Sequence, residues 1–224
     1  MITTLLERRT IAHETTELTL LVPVDEQETF SFKAGQYVNL TLLAPHYVDE
    51  RGPSRDFSIS SAPHTKQTIT VAYRNSPSAW KRNVAEMTMG MEIETKGPFG
   101  YFTLPRKTER PLLFIAGGIG VVPFISIVRH LKAADAAHHA TLFYANHSAE
   151  HAAYLDELLT STHVPCHPHL GEVTKESLAP FVMPEQNPMI YIAGPIGMCA
   201  HAHSTLLSLG VDHMSILTEE FTGY

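Results

Sequence analysis

The sequence has few cysteines and no long apolar run, and both shortages narrow the class of protein. It has 224 residues and two cysteines, Cys166 and Cys199, which form neither a C-x-x-C pair nor a disulfide framework. We therefore expect two free thiols and no metal site. No apolar stretch reaches membrane-spanning length, and the opening MITTLLERRT lacks the basic-then-apolar order of a signal peptide. These absences favour a cytoplasmic protein without a membrane span.

The sequence also lacks a basic block. Lysine and arginine number 16 against 23 acidic residues, which gives a net charge of −7. Because nucleic-acid binding needs clustered positive charge, we expect no nucleic-acid partner. The hydrophobic content of 44% is ordinary for a globular protein with a real core.

The chain changes character near residue 105, which divides it into two predicted domains, 1–105 and 106–224. In the first part, alternating patterns with β-branched and aromatic residues predict strands at 17–22, 37–42, 57–60 and 68–73. Closely spaced short strands of this kind are typical of an antiparallel barrel or sandwich. One helix is predicted over 78–87, capped by Ser76 or Ser78.

In the second part, predicted strands alternate with predicted helices. The strands are 112–116, 140–144, a weaker one near 164, 189–193 and 213–217. The helices are 123–132, 149–159, 175–179 and 197–209. This alternation predicts a doubly wound α/β domain with a parallel sheet, whose ligands bind beyond the carboxyl ends of the strands.

The run LLFIAGGIGVVPF, residues 112–124, is the most informative segment. An apolar strand leads into Gly117, Gly118 and Gly120, and a helix then begins near Pro123. Glycines let a ligand approach the backbone, and a helix N-terminus attracts anions. The segment therefore predicts a phosphate cradle. The alternative is a tight strand–helix turn without a ligand.

Five motifs in one order extend this interpretation over almost the whole chain. They are Arg55-Asp56-Phe57-Ser58, Gly97-Pro98-Phe99-Gly100, Ala116-Gly117-Gly118-Ile119-Gly120-Val121-Val122-Pro123, Ala193-Gly194-Pro195-Ile196-Gly197-Met198 and Glu219-Glu220-Phe221. With these motifs the chain resembles the ferredoxin–NADP reductase superfamily of flavoenzymes. The resemblance implies a six-stranded antiparallel β-barrel that binds flavin, followed by the α/β domain that binds NAD(P).

The resemblance assigns the first motif to the flavin. Arg55 would hold the pyrophosphate with its planar charged fork, and Phe57 would offer an apolar face to the isoalloxazine ring. Ser58 would lie beside flavin N5, with Asp56 and Tyr73 also at the cofactor. The alternatives are a surface salt bridge for Arg55, core packing for Phe57 and Tyr73, and an exposed strand serine for Ser58.

The helix predicted after residue 78 falls where the family binds the flavin phosphates. Its first residues, Ser78, Ala79, Trp80 and Lys81, are therefore candidate cofactor residues. Ser78 at a helix N-terminus suits an anion, and Lys81 adds positive charge. The alternative for Trp80 is simple core packing.

The resemblance assigns the later motifs to the nicotinamide nucleotide and to hydride transfer. Gly117, Gly118, Ile119, Gly120 and Pro123 would hold its phosphates, and Gly194, Pro195 and Met198 would lie near its nicotinamide or ribose. Glu219 and Phe221, with Ser58, are the candidate catalytic residues, and Phe221 would cover the flavin face. Tyr224 is a second candidate aromatic there. The family often has a cysteine where this chain has Ala193.

The cofactor choices follow from the same resemblance. Asn146 and His147 stand where NADP-selective members often carry Ser-Arg or Thr-Arg, so NADH is favoured over NADPH. FAD is favoured over FMN because most members use it. No cysteine-rich or haem segment is present, so we expect a separate electron acceptor, either a redox protein or a small oxidant. One alternative is an electron-transfer subunit that is poorly active alone, and another is a regulatory nucleotide-binding module without flavin.

Overall fold

The computed structural model describes residues 1–105, 108–135 and 139–222. The first part contains the strands β1 (Ile2–Ala12), β2 (Thr15–Leu21), β3 (Tyr37–Leu42), β4 (Ser54–Ser58), β5 (Thr68–Arg74) and β6 (Glu92–Phe99). They form one antiparallel sheet in the order β4-β3-β6-β1-β2-β5. A bridge between Ile59 and Val71 joins the two edges of this sheet, so it closes into the predicted six-stranded barrel.

The barrel interior is a continuous apolar cluster. Leucine, isoleucine and valine side chains from alternate strand positions fill it, as period-two patterning requires. Helix α1 (Ala79–Glu86) packs against this cluster through Trp80 and Val84, and its N-cap is Ser78, one of the two predicted candidates. Strands β1 and β6 were not predicted, because ITTLLERRTIA and EIETKGPF carry too many charges to show an apolar alternation.

The second part is a five-stranded parallel sheet. Its strands are β7 (Leu112–Gly117), β8 (Ala140–Asn146), β9 (Cys166–Leu170), β10 (Met189–Pro195) and β11 (Ile216–Phe221), in the order β11-β10-β7-β8-β9. Its helices are α2 (Val122–Ala134), α3 (Leu155–Leu159), α4 (Lys175–Leu178) and α5 (Ile196–Ser208). The chain leaves β7 in one direction towards β8 and returns on its other side as β10, which confirms a doubly wound sheet.

Strand β7 is buried on both faces, as its apolar run predicted. Phe114 and Ala116 point into one core cluster, whereas Leu113 and Ile115 point into the cluster on the opposite face. The first of these clusters also contains Phe102 from the N-terminal part, so the barrel packs on the same side of the sheet as α2.

Two predicted elements of the second part were wrong. The strand predicted at 213–217 is observed at Ile216–Phe221, because His213–Ser215 forms a 3-10 turn capped by the Asp212 side chain. The helix predicted over 149–159 is broken by Tyr154, whose φ of 59° is left-handed. A 3-10 turn precedes this residue and α3 follows it.

Buried polar contacts join the two parts. The Tyr154 hydroxyl donates to the Glu17 carboxylate over 2.6 Å, and Arg129 Nη1 donates to the Ser60 carbonyl over 2.8 Å. Ser126 Oγ donates to the Ser61 carbonyl over 2.7 Å. A charge-assisted bond in a buried place holds geometry more firmly than a surface pair does. The barrel and the parallel sheet are therefore held in a defined orientation.

The division between residues 105 and 106 stays a prediction, since residues 106 and 107 lie outside the described part. Tyr224 also lies outside the described residues. Among the helices that are described, none combines the length and the apolar character needed to cross a bilayer.

Candidate functional site

A cleft of about 660 Å³ lies between the barrel and the carboxyl edge of the parallel sheet. The barrel wall of the cleft contains Arg55, Asp56, Phe57, Ser58, Tyr73 and Lys81. The opposite wall, the sheet wall, contains Ile119, Val122, Glu219, Glu220 and Phe221. This volume lies within the range of small-molecule sites in proteins. Residues predicted from motifs more than 150 positions apart thus share one cavity.

Arg55 is buried in the barrel wall, and most of its donors are already used. Nη1 donates to the carbonyls of Gly52 (2.8 Å) and Ser54 (2.7 Å), and Nη2 donates to both carboxylate oxygens of Asp49 at 2.7 Å. Nε is buried with no hydrogen-bond partner among the described residues. The hydrogen bonds from Arg55 lower the pKa of Asp49. The predicted anion-binding arginine is therefore paired with a carboxylate of the same chain.

The N-terminus of α1 adjoins this ion pair. The Ala79 N–H donates to Asp49 Oδ2 over 3.2 Å, and the Ser78 side chain caps the helix by accepting from the Lys81 N–H. Lys81 Nζ is buried and donates to Ser76 Oγ over 3.0 Å. Burial and the nearby Arg55 lower the pKa of Lys81 to about 8. The positive charges of Arg55 and Lys81 thus lie close to the N-terminus of α1.

Three aromatic rings lie behind the barrel wall. Phe57 lies 5.8 Å from Tyr73 and 4.6 Å from Trp80 between ring centroids, and burial raises the pKa of Tyr73 to about 12. Phe57 and Tyr73 also line the cleft. Trp80 is only 1% exposed, and its indole N–H donates to the Leu40 carbonyl. The structure thus places Trp80 in the barrel core and not on the cleft wall, which matches the core alternative.

Glu219 is the most perturbed acid of the sheet wall. Burial raises its pKa to about 7, and its Oε2 is buried with no hydrogen-bond partner among the described residues. It lies on β11 opposite Ala193, and Phe221 lies opposite Pro195. Burial, Asp56 and Glu219 raise the pKa of Tyr37, which lines the same cleft. A carboxyl group that titrates near neutral pH therefore faces the barrel wall.

The glycine loop packs tightly against the start of α5. Gly118 has a φ of +52°, whereas Gly117 and Gly120 serve close packing. A Cβ at Gly120 would lie 2.2 Å from the Ala193 carbonyl oxygen, and one at Gly117 would lie 2.4 Å from Met198 Cε. Residues 118–121 form a 3-10 turn that leads directly into α2, with Pro123 buried in its first turn. The loop therefore touches the predicted Gly194–Met198 segment.

Several predicted nucleotide residues lie beside the cleft and not in its wall. They are Asn146, His147, Gly194, Pro195 and Met198, all near the carboxyl ends of β8 and β10. Asn146 is buried with an unpartnered Oδ1 among the described residues, while His147 is exposed. Gly117 pairs with Ala145, so the end of β8 adjoins the glycine loop. The residues form a second group, continuous with the sheet wall.

Known proteins share this arrangement. The family model described as "Oxidoreductase NAD-binding domain" matches residues 114–164. The reductase component of propane 2-monooxygenase from Gordonia sp. (strain TY-5) is 28% identical over 145 residues, which are 64% of this chain and 40% of that protein. Ferredoxin–NADP reductase B from Sorangium cellulosum (strain So ce56) is 33% identical over 132 residues, 58% of this chain and 52% of that protein.

Solved structures share the whole fold. The flavohem-like FAD/NAD-binding domain of nitric oxide dioxygenase from Vibrio cholerae O1 biovar El Tor has a TM-score of 0.83 at 22% identity, with 98% of each chain covered. These likenesses agree with the resemblance to the ferredoxin–NADP reductase superfamily that the sequence motifs carry. This superfamily consists of flavoprotein oxidoreductases. The matches span about half or less of the curated relatives' length, 40% and 52% in the two proteins above.

Sequence reasoning missed two polar residues at or beside the cleft. Asp49 pairs with Arg55, and Arg74 donates to the carbonyls of His13 (2.8 Å) and His151 (3.3 Å) beside the glycine loop. Asp49 lies six residues before Arg55 in a polar loop without periodicity, where a pairing has no sequence signal. Arg74 directly follows the candidate Tyr73, so its position at the carboxyl end of a strand was the available signal.

One cluster departs from the expectation of no metal site. Ligand atoms of His13, Glu14 and His151 lie within 4.8 Å of one another on the surface where barrel and sheet meet. His151 Nδ1 is already within 2.7 Å of Ser148 Oγ. The guanidinium of Arg74 contacts the backbone of both histidines and puts a positive charge beside the cluster.

Proposed function

We propose that this chain is an FAD-dependent NAD(P)H oxidoreductase that passes a hydride from nicotinamide to FAD and electrons onward to a separate acceptor. The observation that carries the proposal is the shared cleft: Ser58 and Phe57 on the barrel wall face Glu219 and Phe221 on the sheet wall. Residues 1–105 would bind FAD and residues 106–224 would bind the nicotinamide nucleotide.

The barrel wall fits a flavin that carries phosphate. Arg55 Nε, the Ala79 N–H and Lys81 converge at one end of the cleft, where an anion would be bound. Phe57 and Tyr73 give an apolar surface that excludes water from a flat ring. Bound FAD would supply the hydride-accepting chemistry, which no side chain can provide. FAD is proposed ahead of FMN on the usage of the family.

The sheet wall fits a nicotinamide nucleotide. Gly117, Gly118 and Gly120 bring backbone N–H groups to the N-terminal end of α2, where phosphates bind favourably. Gly194, Pro195 and Met198 are proposed to contact the nicotinamide or the ribose. NADH is proposed as the preferred donor because His147, at the end of β8, lacks the permanent charge of an arginine.

Glu219 and Ser58 are proposed to act on protons at the centre of the cleft. A carboxyl group with a pKa of about 7 can hold a proton at neutral pH and exchange it during turnover. The small hydroxyl of Ser58, which is buried on the opposite wall, would orient the ring edge by a hydrogen bond. Phe221 is proposed to cover the face of the ring until nicotinamide arrives.

The acceptor is proposed to be a separate redox protein or a small oxidant. Two of the relatives are described as the reductase component of propane 2-monooxygenase and as methane monooxygenase component C. These names favour a protein acceptor and keep the second candidate, an electron-transfer subunit that is poorly active alone. Activity with ferricyanide, compared with activity towards partner oxygenases or ferredoxins, separates the two.

The direct test is the absorbance of the purified protein reconstituted with FAD, recorded anaerobically before and after NADH is added. We expect flavin bands that bleach with NADH, and faster bleaching with NADH than with NADPH. A protein that takes up no flavin would instead support a regulatory nucleotide-binding module. Bound flavin that neither nucleotide reduces would contradict the proposed hydride transfer.

A further inference from the structure

The loop between β3 and β4, residues 43–53, carries a carboxylate into the predicted phosphate site. Asp49 accepts two hydrogen bonds from Arg55 Nη2 at 2.7 Å and one from the Ala79 N–H at 3.2 Å. A planar guanidinium fork and a helix N-terminus are both common phosphate-binding elements in proteins. In this structure one carboxylate occupies both.

The pairing leaves Arg55 little capacity for another anion. A guanidinium has five N–H donors, and the four of Nη1 and Nη2 are directed at Gly52, Ser54 and the two oxygens of Asp49. Only Nε remains, buried and without a partner among the described residues. A phosphate cannot form a bidentate contact with Nη2 and Nε while Asp49 stays in place.

We infer that Asp49 is an internal anion that competes with the flavin phosphates for Arg55 and the N-terminus of α1, and that it thereby sets the affinity for flavin. This inference rests on the proposed function, because the displaced carboxylate makes room for the phosphate of a bound flavin. Asp49 would make flavin exchangeable instead of permanently held.

The charges around the site favour this exchange. Arg55 and Lys81 are both buried, whereas Asp49 supplies one negative charge against these two cations. A pyrophosphate supplies two negative charges and more acceptor oxygens, so it balances the pair of cations better. Burial, with a smaller contribution from the nearby Arg55, lowers the pKa of Lys81 to about 8.

Moving the Asp49 carboxylate out of the site would also cost the loop little free energy. The Asp49 side chain is 30% exposed, and its neighbours Val48 and Glu50 are exposed. A carboxylate released from such a loop regains water at once, whereas Arg55 would keep an anionic partner throughout. Exchange of one anion for another avoids the large penalty of leaving a buried guanidinium unpaired.

The test measures binding of FAD, FMN and riboflavin by fluorescence quenching in three proteins: wild type, Asp49→Asn and Glu50→Gln. Riboflavin has the same ring but no phosphate, and Glu50 is an exposed acid in the same loop. We expect Asp49→Asn to tighten FAD and FMN about tenfold, or about 1.4 kcal/mol, and to leave riboflavin unchanged. Glu50→Gln should change none of the three. Asp49→Ser serves as a second variant if Asp49→Asn does not fold.

The outcomes separate the inference from the proposed function. Weaker or unchanged FAD binding in Asp49→Asn would overturn the inference, since weakening would mean that Asp49 positions Arg55 for the flavin. Equal tightening of riboflavin would also overturn it, because the effect would then not involve phosphate. Flavin binding by Asp49→Asn, with none by the wild type or Glu50→Gln, would support the inference. Absence of flavin binding in every variant would refute the proposed function and the inference with it.

Discussion

The two walls of the cleft differ in how far their polar groups are satisfied. On the barrel wall, Arg55 Nη1 and Nη2 and Lys81 Nζ donate to partners among the described residues, whereas Arg55 Nε is buried without one there. On the sheet side, Glu219 Oε2 and Asn146 Oδ1 are both buried without partners in the described part. An unpaired buried polar atom costs about 1–3 kcal/mol of folding free energy. Glu219 and Asn146 therefore lower the stability of the sheet side when no ligand is bound.

This difference bears on how each ligand would bind. A ligand on the barrel wall has to replace an internal carboxylate, whereas a ligand on the sheet side meets groups that lack partners. The buried contacts from Tyr154 to Glu17 and from Arg129 to Ser60 fix the position of one wall relative to the other. We therefore expect a ligand to bind without a rigid-body movement of either wall. Substitutions on one wall should therefore leave the other wall's ligand largely unaffected.

The largest effect is expected for Gly120→Ala, which breaks the sheet wall alone. The new Cβ would lie 2.2 Å from the Ala193 carbonyl oxygen and 2.6 Å from Gly194 Cα, and backbone atoms cannot move aside cheaply. Overpacking typically costs 1–3 kcal/mol, and we expect about 3 kcal/mol here. Urea unfolding measures the loss, and NADH titration should show lost nucleotide binding with FAD retained.

Gly197→Ala is the matched control, because a Cβ at this helical position meets no heavy atom within 4 Å. Alanine is the better helix former, so stability should rise by up to about 1 kcal/mol. Equal destabilisation by both substitutions would contradict the packing role of Gly120. Loss of FAD together with NADH in Gly120→Ala would contradict the independence of the two walls.

A smaller, pH-dependent effect is expected for Glu219→Gln. Burial raises the pKa of Glu219 from its usual value of 4.5 to about 7, so the folded state binds its proton more tightly than the unfolded state does. Stability should therefore be greatest below pH 4.5 and fall as the pH rises towards 7. With one pKa unit equal to about 1.4 kcal/mol, and some solvent screening, we expect a fall of about 1–3 kcal/mol.

Thermal or urea unfolding between pH 5 and pH 8 tests this expectation. Glu219→Gln should remove the fall contributed by this group, because an amide does not titrate, whereas Glu220→Gln at the exposed neighbour should preserve it. In the protein reconstituted with FAD, we expect a break near pH 7 in the pH–rate profile that vanishes only in Glu219→Gln. A profile shared by all three proteins would exclude Glu219 as the titrating group.

The sequence predicted the elements whose physics is local. Strand β3 was predicted with its observed bounds because its apolar residues alternate, and β7 because it is apolar on both faces. The helix cap was narrowed to Ser76 or Ser78 because small polar residues precede a helical pattern, and the structure has Ser78. Strands β1 and β6 gave no such pattern, since their stability comes from pairing with each other and with their neighbours in the closed barrel.

Other features arise only from tertiary contacts and have no local signal. The left-handed Tyr154 breaks a helical pattern because its hydroxyl reaches Glu17, more than 130 residues earlier. The tight packing of Gly120 depends on Ala193, on the neighbouring strand. Asp49 is the clearest case: the motif residue Arg55 was predicted, but the carboxylate that pairs with it comes from an irregular loop.

The smallest effect is expected for His147→Arg. This variant tests whether the sheet side binds the adenosine end of the nucleotide near β8. His147 is exposed just beyond β8, next to Asn146, whose Oδ1 has no hydrogen-bond partner among the described residues. A permanently charged guanidinium there should pair with the 2′-phosphate that distinguishes NADPH from NADH. We expect kcat/KM for NADPH to rise about tenfold, or about 1.4 kcal/mol, with kcat/KM for NADH nearly unchanged.

His139→Arg is the matched control, since His139 precedes the same strand at its amino end and is also exposed. It adds the same charge at the edge of the sheet that faces away from the cleft, so it should not change the ratio of the two nucleotides. An equal gain in both variants would attribute the effect to net charge. No gain in His147→Arg would mean that the adenosine end of the nucleotide binds away from β8. The nucleotide-binding surface would then extend no further than the glycine loop.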